Sequence, residues 1–215
     1  MTGQGCSQEP ERSYDFREEV SLPEPRTSGP VSLEEAIRGR RSVRDFRMDP
    51  VNLDQVSQLL WAVQGITDGN GLRAVPSAGA TYPLEIYLIV GAVEALAPGV
   101  YRYAPERHTL DLLQSGDLRE EVAAAALGQS WIAQAPITIL VAAVFSRTTG
   151  RYGDRGRQYV HMEMGHAAQN AYLQAEALGL GTTMVGAFRD QALAEAAGLL
   201  FEEHPLGLLP VGVPR

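Results

Sequence analysis

The sequence GRQYVHMEMGHAAQNAYLQAEALG, residues 156–179, is long enough for roughly six turns of α-helix. Apolar side chains lie almost all the way round this predicted helix. A helix with that pattern is buried on most of its sides. We therefore expect residues 156–179 to lie in the core or at a subunit interface.

The segments on either side of this helix alternate irregularly between strand and helix patterns. Capping-box spacings, Ser32 with Glu35 and Asn52 with Gln55, predict the starts of two helices, and Gly65 ends the second. Asp117 with Glu120 predicts the cap of a third helix that runs to about Leu127. A fourth helix is predicted over residues 191–197, and strands over residues 84–90, 100–103, 109–113, 137–145, 182–185 and 206–211. Without regular βαβ alternation, this order favours an α+β sandwich of a mixed sheet and helices.

Composition limits the functions that are open to this chain. Its 215 residues fit one domain, which we place over residues 31–215 after a flexible polar arm over residues 1–30. All 18 basic residues are arginine, so Schiff-base chemistry and lysine phosphate loops are excluded. The net charge of −8 argues against nucleic acid, and the single Cys6 argues against disulfides and cysteine metal sites. No apolar run reaches the length of a membrane span, so we expect a soluble cytoplasmic protein.

The predicted long helix carries two histidines close together in the sequence. Paired histidines on a helix can bind a metal ion, but only when both face the same side. His161 and His166 are five residues apart, which places them about 140° apart around a helix, so they do not face one ion. We therefore predict no metal. Glu163, His166 and Asn170 instead form one polar stripe, which we expect at a dimer contact or along the edge of a cofactor.

Two other features indicate a bound anion and a flat ligand. Five arginines fall within ten residues, Arg38, Arg40, Arg41, Arg44 and Arg47, and they form either a solvated face or an anion site. Residues 76–83, PSAGATYP, directly precede a predicted strand. Their small side chains would let the backbone approach a planar ligand closely.

Taken in order, these blocks resemble the FMN-dependent nitroreductase superfamily, in particular its SagB-type dehydrogenase branch. The resemblance covers residues 32–214. It rests on residues 40–46 (RRSVRDF), 60–65 (LWAVQG), 76–83 (PSAGATYP), 99–103 (GVYRY), 165–170 (GHAAQN), 186–188 (GAF) and 209–212 (LPVG).

The resemblance implies a nitroreductase-like, mostly antiparallel mixed sheet packed between helices, in a domain-swapped homodimer with two FMN sites. In such a dimer the phosphate and ribityl chain would contact Arg40, Arg41, Ser42 and Arg44, with Arg215 as a further phosphate ligand. Pro76, Ser77, Ala78 and Gly79 would come from the other subunit and lie beneath the flavin ring. Val185, Gly186 and Ala187 would lie along the ring edge, with their N–H groups near N5 and O4.

The resemblance also implies an activity. We expect an FMN oxidoreductase that transfers hydride between NADH or NADPH and a small electron-poor organic substrate. The first alternative is a SagB-type dehydrogenase of thiazolines or oxazolines in a peptide product, in which Arg151 and Tyr152 would match a catalytic Lys-Tyr pair. Arginine stays protonated and is a poor base, which leaves Tyr152 as the candidate. The second alternative is a non-catalytic flavin-binding module.

Overall fold

The computed structural model describes residues 18–215, which contain one antiparallel sheet of seven strands. The strand order is β1-β4-β3-β2-β5-β7-β6, with every neighbouring pair antiparallel. The strands are β1 (Glu19–Ser21), β2 (Leu84–Val90), β3 (Gly99–Ala104), β4 (Thr109–Ser115), β5 (Ile137–Ala143), β6 (Gly181–Thr182) and β7 (His204–Gly212). Parallel pairing occurs in isolated bridges, such as the one between Ser42 and Thr182.

Helices cover both faces of the sheet, as the sequence predicts for an α+β sandwich. They are α1 (Leu33–Gly39), α2 (Leu53–Gln64), α3 (Arg119–Ala125), α4 (Ser130–Gln134), α5 (Phe145–Tyr152), α6 (Arg155–Ala177) and α7 (Asp190–Ala197). Alternate residues of the buried central strand β2 point to opposite faces. Ile86 and Leu88 pack in the core with α2 and α6, while Tyr87 and Ile89 pack in the core with α3, α4 and α7.

The long helix α6 begins one residue before the predicted segment and ends two residues before the end of that segment. Its small residues Ala167, Ala171 and Ala175 are buried in the core that contains α2. Met162, Gly165 and Gln169 lie on another side and are exposed in the single chain. The prediction of core burial is thus confirmed for one side of α6.

Two of the three predicted helix caps are confirmed. Ser32 with Glu35 and Asn52 with Gln55 both form complete capping boxes. The predicted cap at Asp117 is wrong, because α3 begins at Arg119 and its N-cap residue Leu118 makes no side-chain cap. The Asp117 carboxylate instead binds the backbone N–H and the guanidinium of Arg119.

The structure also differs from the sequence predictions at three segments. Residues 19–21, within the predicted arm, form β1 and pair with β4, while Cys6 lies outside the described residues. The predicted strand over residues 137–145 ends at Ala143, and α5 begins at Phe145. Of the predicted strand over residues 182–185, only Thr182 lies in β6, which begins at Gly181. No helix within residues 18–215 has the length and apolar character needed to cross a membrane.

Candidate functional site

The arginine-rich segment after α1 runs across the ends of β6 and β7. The Val43 N–H donates to the Thr182 carbonyl at 2.9 Å, and the Arg47 N–H donates to the Val213 carbonyl at 2.9 Å. Phe46 is buried between these two attachments. The backbone of residues 42–47 is therefore fixed against the sheet, while the side chains of Ser42 and Arg44 remain exposed.

Tyr172 of α6 is the polar centre of this region. Its hydroxyl lies 3.2 Å from Ser42 Oγ and accepts a hydrogen bond from the Met184 N–H at 2.8 Å. The Arg40 guanidinium carbon lies 5.5 Å from the centre of the Tyr172 ring. Burial raises the pKa of Tyr172, but the hydrogen bonds with Ser42 and Met184 and the nearby Arg40 charge outweigh burial and lower it. The sequence analysis missed Tyr172, because no spacing rule relates residues 130 positions apart.

The predicted phosphate-binding arginines have different surroundings. Arg40 is half-buried beside Tyr172, and Arg44 is exposed. Arg215 is brought to the same segment, since its N–H donates to the Asp45 carbonyl at 3.1 Å and its guanidinium lies 3.6 Å from the Asp45 carboxylate. The Nη1 group of Arg41 donates to three carbonyl groups at the end of α1, those of Arg38, Gly39 and Arg40.

Residues 185–187 directly follow Met184, whose N–H group donates to Tyr172. The Val185 N–H donates to the Leu208 carbonyl at 2.8 Å, so it is engaged within the chain and differs from the predicted ligand contact. Gly186 and Ala187 are exposed, and a Cβ added at Gly186 would meet nothing within 4 Å. The backbone N–H groups of Gly186 and Ala187 are therefore the remaining candidates for hydrogen bonds to the edge of a bound ring.

The small-residue loop at residues 76–79 lies against the end of α5. The Gly79 carbonyl accepts a hydrogen bond from the Arg151 guanidinium at 3.0 Å, and Gly79 has a φ of 61°. A Cβ at Gly79 would lie 2.5 Å from the Tyr152 hydroxyl oxygen. The structure thus brings Arg151 and Tyr152, which the sequence singles out as a pair, directly onto this loop.

The predicted polar stripe of α6 points into the chain at two of its three positions. Glu163 is 2% exposed and accepts a hydrogen bond from Gln64, and Asn170 donates to the Ala62 and Ala74 carbonyl groups. His166 is exposed. No group of three or more His, Cys, Asp or Glu residues that could hold a metal occurs within residues 18–215.

Within one chain, the loop and the arginine segment are separate. The loop lies near Glu163 of α6, whereas the arginine segment contacts α6 at Tyr172. These two positions are nine residues apart, which is roughly 14 Å along a helix axis. The loop and the arginine segment therefore lie at different turns of α6.

The donors at the arginine segment fit a phosphate ester joined to a planar ring. Arg40, Arg44 and Arg215 supply positive charge suited to a phosphate. The Thr183 hydroxyl helps to lower the Tyr172 pKa, yet it is buried and forms no hydrogen bond of normal geometry within the described residues. An orphaned buried hydroxyl beside exposed backbone N–H groups is a pattern that a polar cofactor chain would complete.

Comparisons with known proteins match this chain to one protein family. A sequence profile of the nitroreductase family matches residues 37–213. A protein of Methanocaldococcus jannaschii named as a nitroreductase is 50% identical over 85% of this chain and 91% of its own length. A crystal structure from Ralstonia eutropha, also named as a nitroreductase, has a TM-score of 0.81 and 30% identity over 99% of this chain and 96% of its own.

Two more distant relatives differ from each other in function. The FMN reductase [NAD(P)H] of Bacillus subtilis is 28% identical over 83% of this chain and 64% of its own length. The microcin B17-processing protein McbC of Escherichia coli is 29% identical over 61% of this chain and 50% of its own length.

Proposed function

Because the chain belongs to the nitroreductase family and is a flavin-dependent oxidoreductase, we propose that it transfers hydride from NADH or NADPH to a small electron-poor organic molecule. The observation that carries the proposal is the group formed by Arg40, Ser42 and Tyr172, with the buried Thr183 hydroxyl next to Tyr172. This group combines a guanidinium group, which suits a phosphate, with hydroxyl groups, which suit a sugar-like chain.

The side chains and N–H groups of this segment would each have a defined task. Arg40, Arg44 and Arg215 would hold the phosphate, while Ser42 and Thr183 would hydrogen-bond to the ribityl chain. The N–H groups of Gly186 and Ala187 would face the ring edge and stabilise negative charge there. FMN, when bound, supplies the hydride chemistry.

Residues 76–79 would act from a second copy of the chain. Their small side chains would let the backbone lie flat beneath the ring and exclude water from it. The Arg151 hydrogen bond to the Gly79 carbonyl fixes the position of that backbone. We therefore propose a homodimer in which each site uses the arginine segment of one copy and the loop of the other.

The decisive experiment is anaerobic reduction of the purified protein loaded with FMN. We expect flavin absorbance that is bleached by NADH or NADPH and restored by a nitroaromatic or quinone acceptor. Bound FMN that neither nicotinamide reduces would favour a non-catalytic flavin-binding module. A protein that cannot bind FMN at all would overturn the proposal.

Matched arginine variants locate the phosphate contacts. Arg40→Ala and Arg44→Ala are each expected to weaken FMN binding about tenfold, since a hydrogen bond to a charged group contributes ~1.5–3 kcal/mol. Arg38→Ala removes an equal charge from the exposed end of α1 and is expected to leave the affinity within about twofold. Equal losses in all three variants would indicate a general effect of net charge instead.

A second candidate function is favoured by the position of Tyr152. Its hydroxyl lies beside Gly79, where the ring face is proposed to be, and the chain is similar to a microcin-processing protein. In this reaction Tyr152 would remove a proton from a thiazoline or oxazoline ring of a peptide, and the flavin would accept a hydride from the same ring. Arg151 donates to Gly79, so its role would be to hold the loop.

Peptides that carry a preformed thiazoline test this second candidate. Turnover by the wild type that falls at least about a hundredfold in Tyr152→Phe would support it, because general base catalysis contributes ~10²–10⁴-fold. Equal turnover in wild type and Tyr152→Phe would exclude Tyr152 as the base.

A further inference from the structure

The loop at residues 76–83 contains a strained turn. Gly79, Ala80 and Tyr82 have φ values of 61°, 52° and 42°. Residues that carry a side chain seldom adopt a positive φ, and such a conformation persists only where surrounding contacts hold it. The contacts of this loop are therefore informative about what keeps it in place.

Two arginines at the surface of α5 bind the backbone of the loop. The Arg151 guanidinium donates to the Gly79 carbonyl at 3.0 Å, and the Arg147 guanidinium donates to the Tyr82 carbonyl at 2.9 Å. Both arginines are exposed, so water competes for these hydrogen bonds. They restrain the loop less than a buried contact of the same kind would.

Thr148 lies between these arginines in the sequence and makes a buried contact with the same loop. It is 1% exposed, and its Oγ1 lies 2.8 Å from Thr81 Oγ1. The Thr81 hydroxyl also donates to the Ala78 carbonyl at 3.0 Å. Because a hydroxyl group has one proton to donate, Thr148 is the donor to Thr81. The hydrogen bonds thus run from α5 through Thr81 to Ala78.

Thr81 is also part of the hydrogen bonds that close the turn. Its N–H donates to the Ala78 carbonyl at 3.3 Å. One residue earlier, the Ala80 N–H donates to the Ser77 carbonyl at 3.1 Å, and the Ser77 hydroxyl accepts the Tyr82 N–H at 2.9 Å. The residues with positive φ therefore lie within one closed turn, and Thr81 connects that turn to α5.

The backbone of α5 in turn lies directly against the start of α6. A Cβ added at Gly156 would lie 2.9 Å from the Thr149 Cα and 3.0 Å from the Thr148 carbonyl carbon. The rings of Tyr152 and Tyr159 make a further contact between the two helices, with their centres 5.2 Å apart. Thr148 is therefore held at a fixed position relative to α6.

We propose that Thr148 is a positioning residue for FMN, because it holds the strained turn of residues 78–82, through Thr81, in the shape that packs beneath the flavin ring. This inference rests on the proposed FMN function. Without the Thr148 hydroxyl, Thr81 loses its donor from α5, and the turn is free to relax toward negative φ values. A misplacement of about 1 Å is enough to weaken a preorganised site.

The test is a double-mutant cycle on FMN affinity, measured by quenching of flavin fluorescence as the apoprotein is titrated. Thr148→Val and Thr81→Val, which keep the branched shape but lose the hydroxyl, are each expected to weaken FMN binding about fivefold. The double variant should bind no more weakly than the weaker-binding single variant, because both changes break one contact. Thr148→Ser retains the hydroxyl and should bind FMN within about twofold of the wild type.

Thr138→Val is the matched control for the chemical change. Thr138 of β5 is fully buried, and its hydroxyl has no hydrogen-bond partner within residues 18–215. We expect this variant to leave FMN affinity within about twofold.

Ser57→Ala controls for the loss of a buried hydrogen bond elsewhere. Ser57 of α2 is 1% exposed, and its hydroxyl donates to the Pro23 carbonyl and lies 2.7 Å from His108 Nε2, both outside the loop. This variant should lower the midpoint of thermal unfolding and leave FMN affinity within about twofold. A merely structural role for Thr148 would make Thr148→Val behave in the same way.

The outcomes separate this inference from the function on which it rests. Additive losses in the double variant, an unchanged affinity in Thr148→Val, or a Thr148→Ser protein that binds as weakly as Thr148→Val would overturn the positioning role while leaving FMN binding intact. Failure of the wild type to bind FMN would overturn the proposed function and this inference together. If Thr81→Val does not fold, Thr148→Val and Thr148→Ser decide the question.

Discussion

At the scale of single residues, the buried Glu163 should make stability depend on pH. Burial raises the pKa of Glu163, and the hydrogen bonds from Ser77 and Gln64 and the charge of Arg73 offset only part of that rise. A carboxyl with a raised pKa in the folded state contributes stability at low pH, and this contribution is lost as the pH rises through the raised value. Glu163→Gln, which never ionises, should therefore be the more stable protein at neutral pH.

Urea unfolding between pH 4 and pH 7.5 measures this difference. We expect the free energies of unfolding of Glu163→Gln and wild type to be close at pH 4 and to diverge as the pH rises to 7, in favour of the variant. Glu195→Gln, at an exposed residue of α7, controls for the loss of one negative charge. A difference that does not change with pH would show that ionisation of Glu163 has no influence.

At the scale of elements, the contact between the loop and α5 depends on the glycine at position 79. A side chain there faces two obstacles, a φ of 61° and a Cβ position 2.5 Å from the Tyr152 hydroxyl and 2.8 Å from the Arg151 guanidinium. Gly79→Ala should lower the free energy of unfolding by about 1–3 kcal/mol, since it adds backbone strain and displaces Arg151 from the Gly79 carbonyl.

Gly69→Ala provides the matched control for this change. A Cβ at Gly69 meets nothing within 4 Å, and its φ is not positive. Urea unfolding should therefore show little change for Gly69→Ala. If Gly79→Ala had the same free energy of unfolding as Gly69→Ala, the result would contradict a close contact between α5 and the loop.

A helix or strand could be predicted from the sequence where the interactions that fix it join residues close together in the chain. Ser32 and Asn52 each find their capping partner three residues away, so spacing alone reveals both helix starts. The three-residue β1 is held by hydrogen bonds to β4, about 90 positions away, and no local pattern reports them. The candidate site shows the same contrast. The arginines are neighbours in the sequence and could be recognised there, whereas Tyr172, which contacts Ser42, is 130 residues away and could not.

At the scale of the whole molecule, the exposed side of α6 is the surface that we propose to pack against a second copy of the chain. Met162 is 48% exposed, and its neighbours on that side include Gly165, where a Cβ would meet nothing within 4 Å. Small residues of this kind allow two helices to approach closely. A second copy packed on this side would also supply the loop that we propose to lie beneath the ring.

Met162→Arg tests this arrangement by placing a charge on the proposed interface. We expect light scattering to give the mass of a dimer for the wild type and of a monomer for the variant, because an unpaired buried charge is strongly unfavourable at an interface. FMN binding should be lost with the dimer, since each site would lose the loop supplied by the other copy. Leu127→Arg changes a similarly exposed apolar residue that follows α3, on the opposite face of the sheet, and should retain both dimer and FMN. A Met162→Arg protein that is monomeric yet binds FMN as tightly as the wild type would place the complete site within one chain and exclude the exchange of loops between copies.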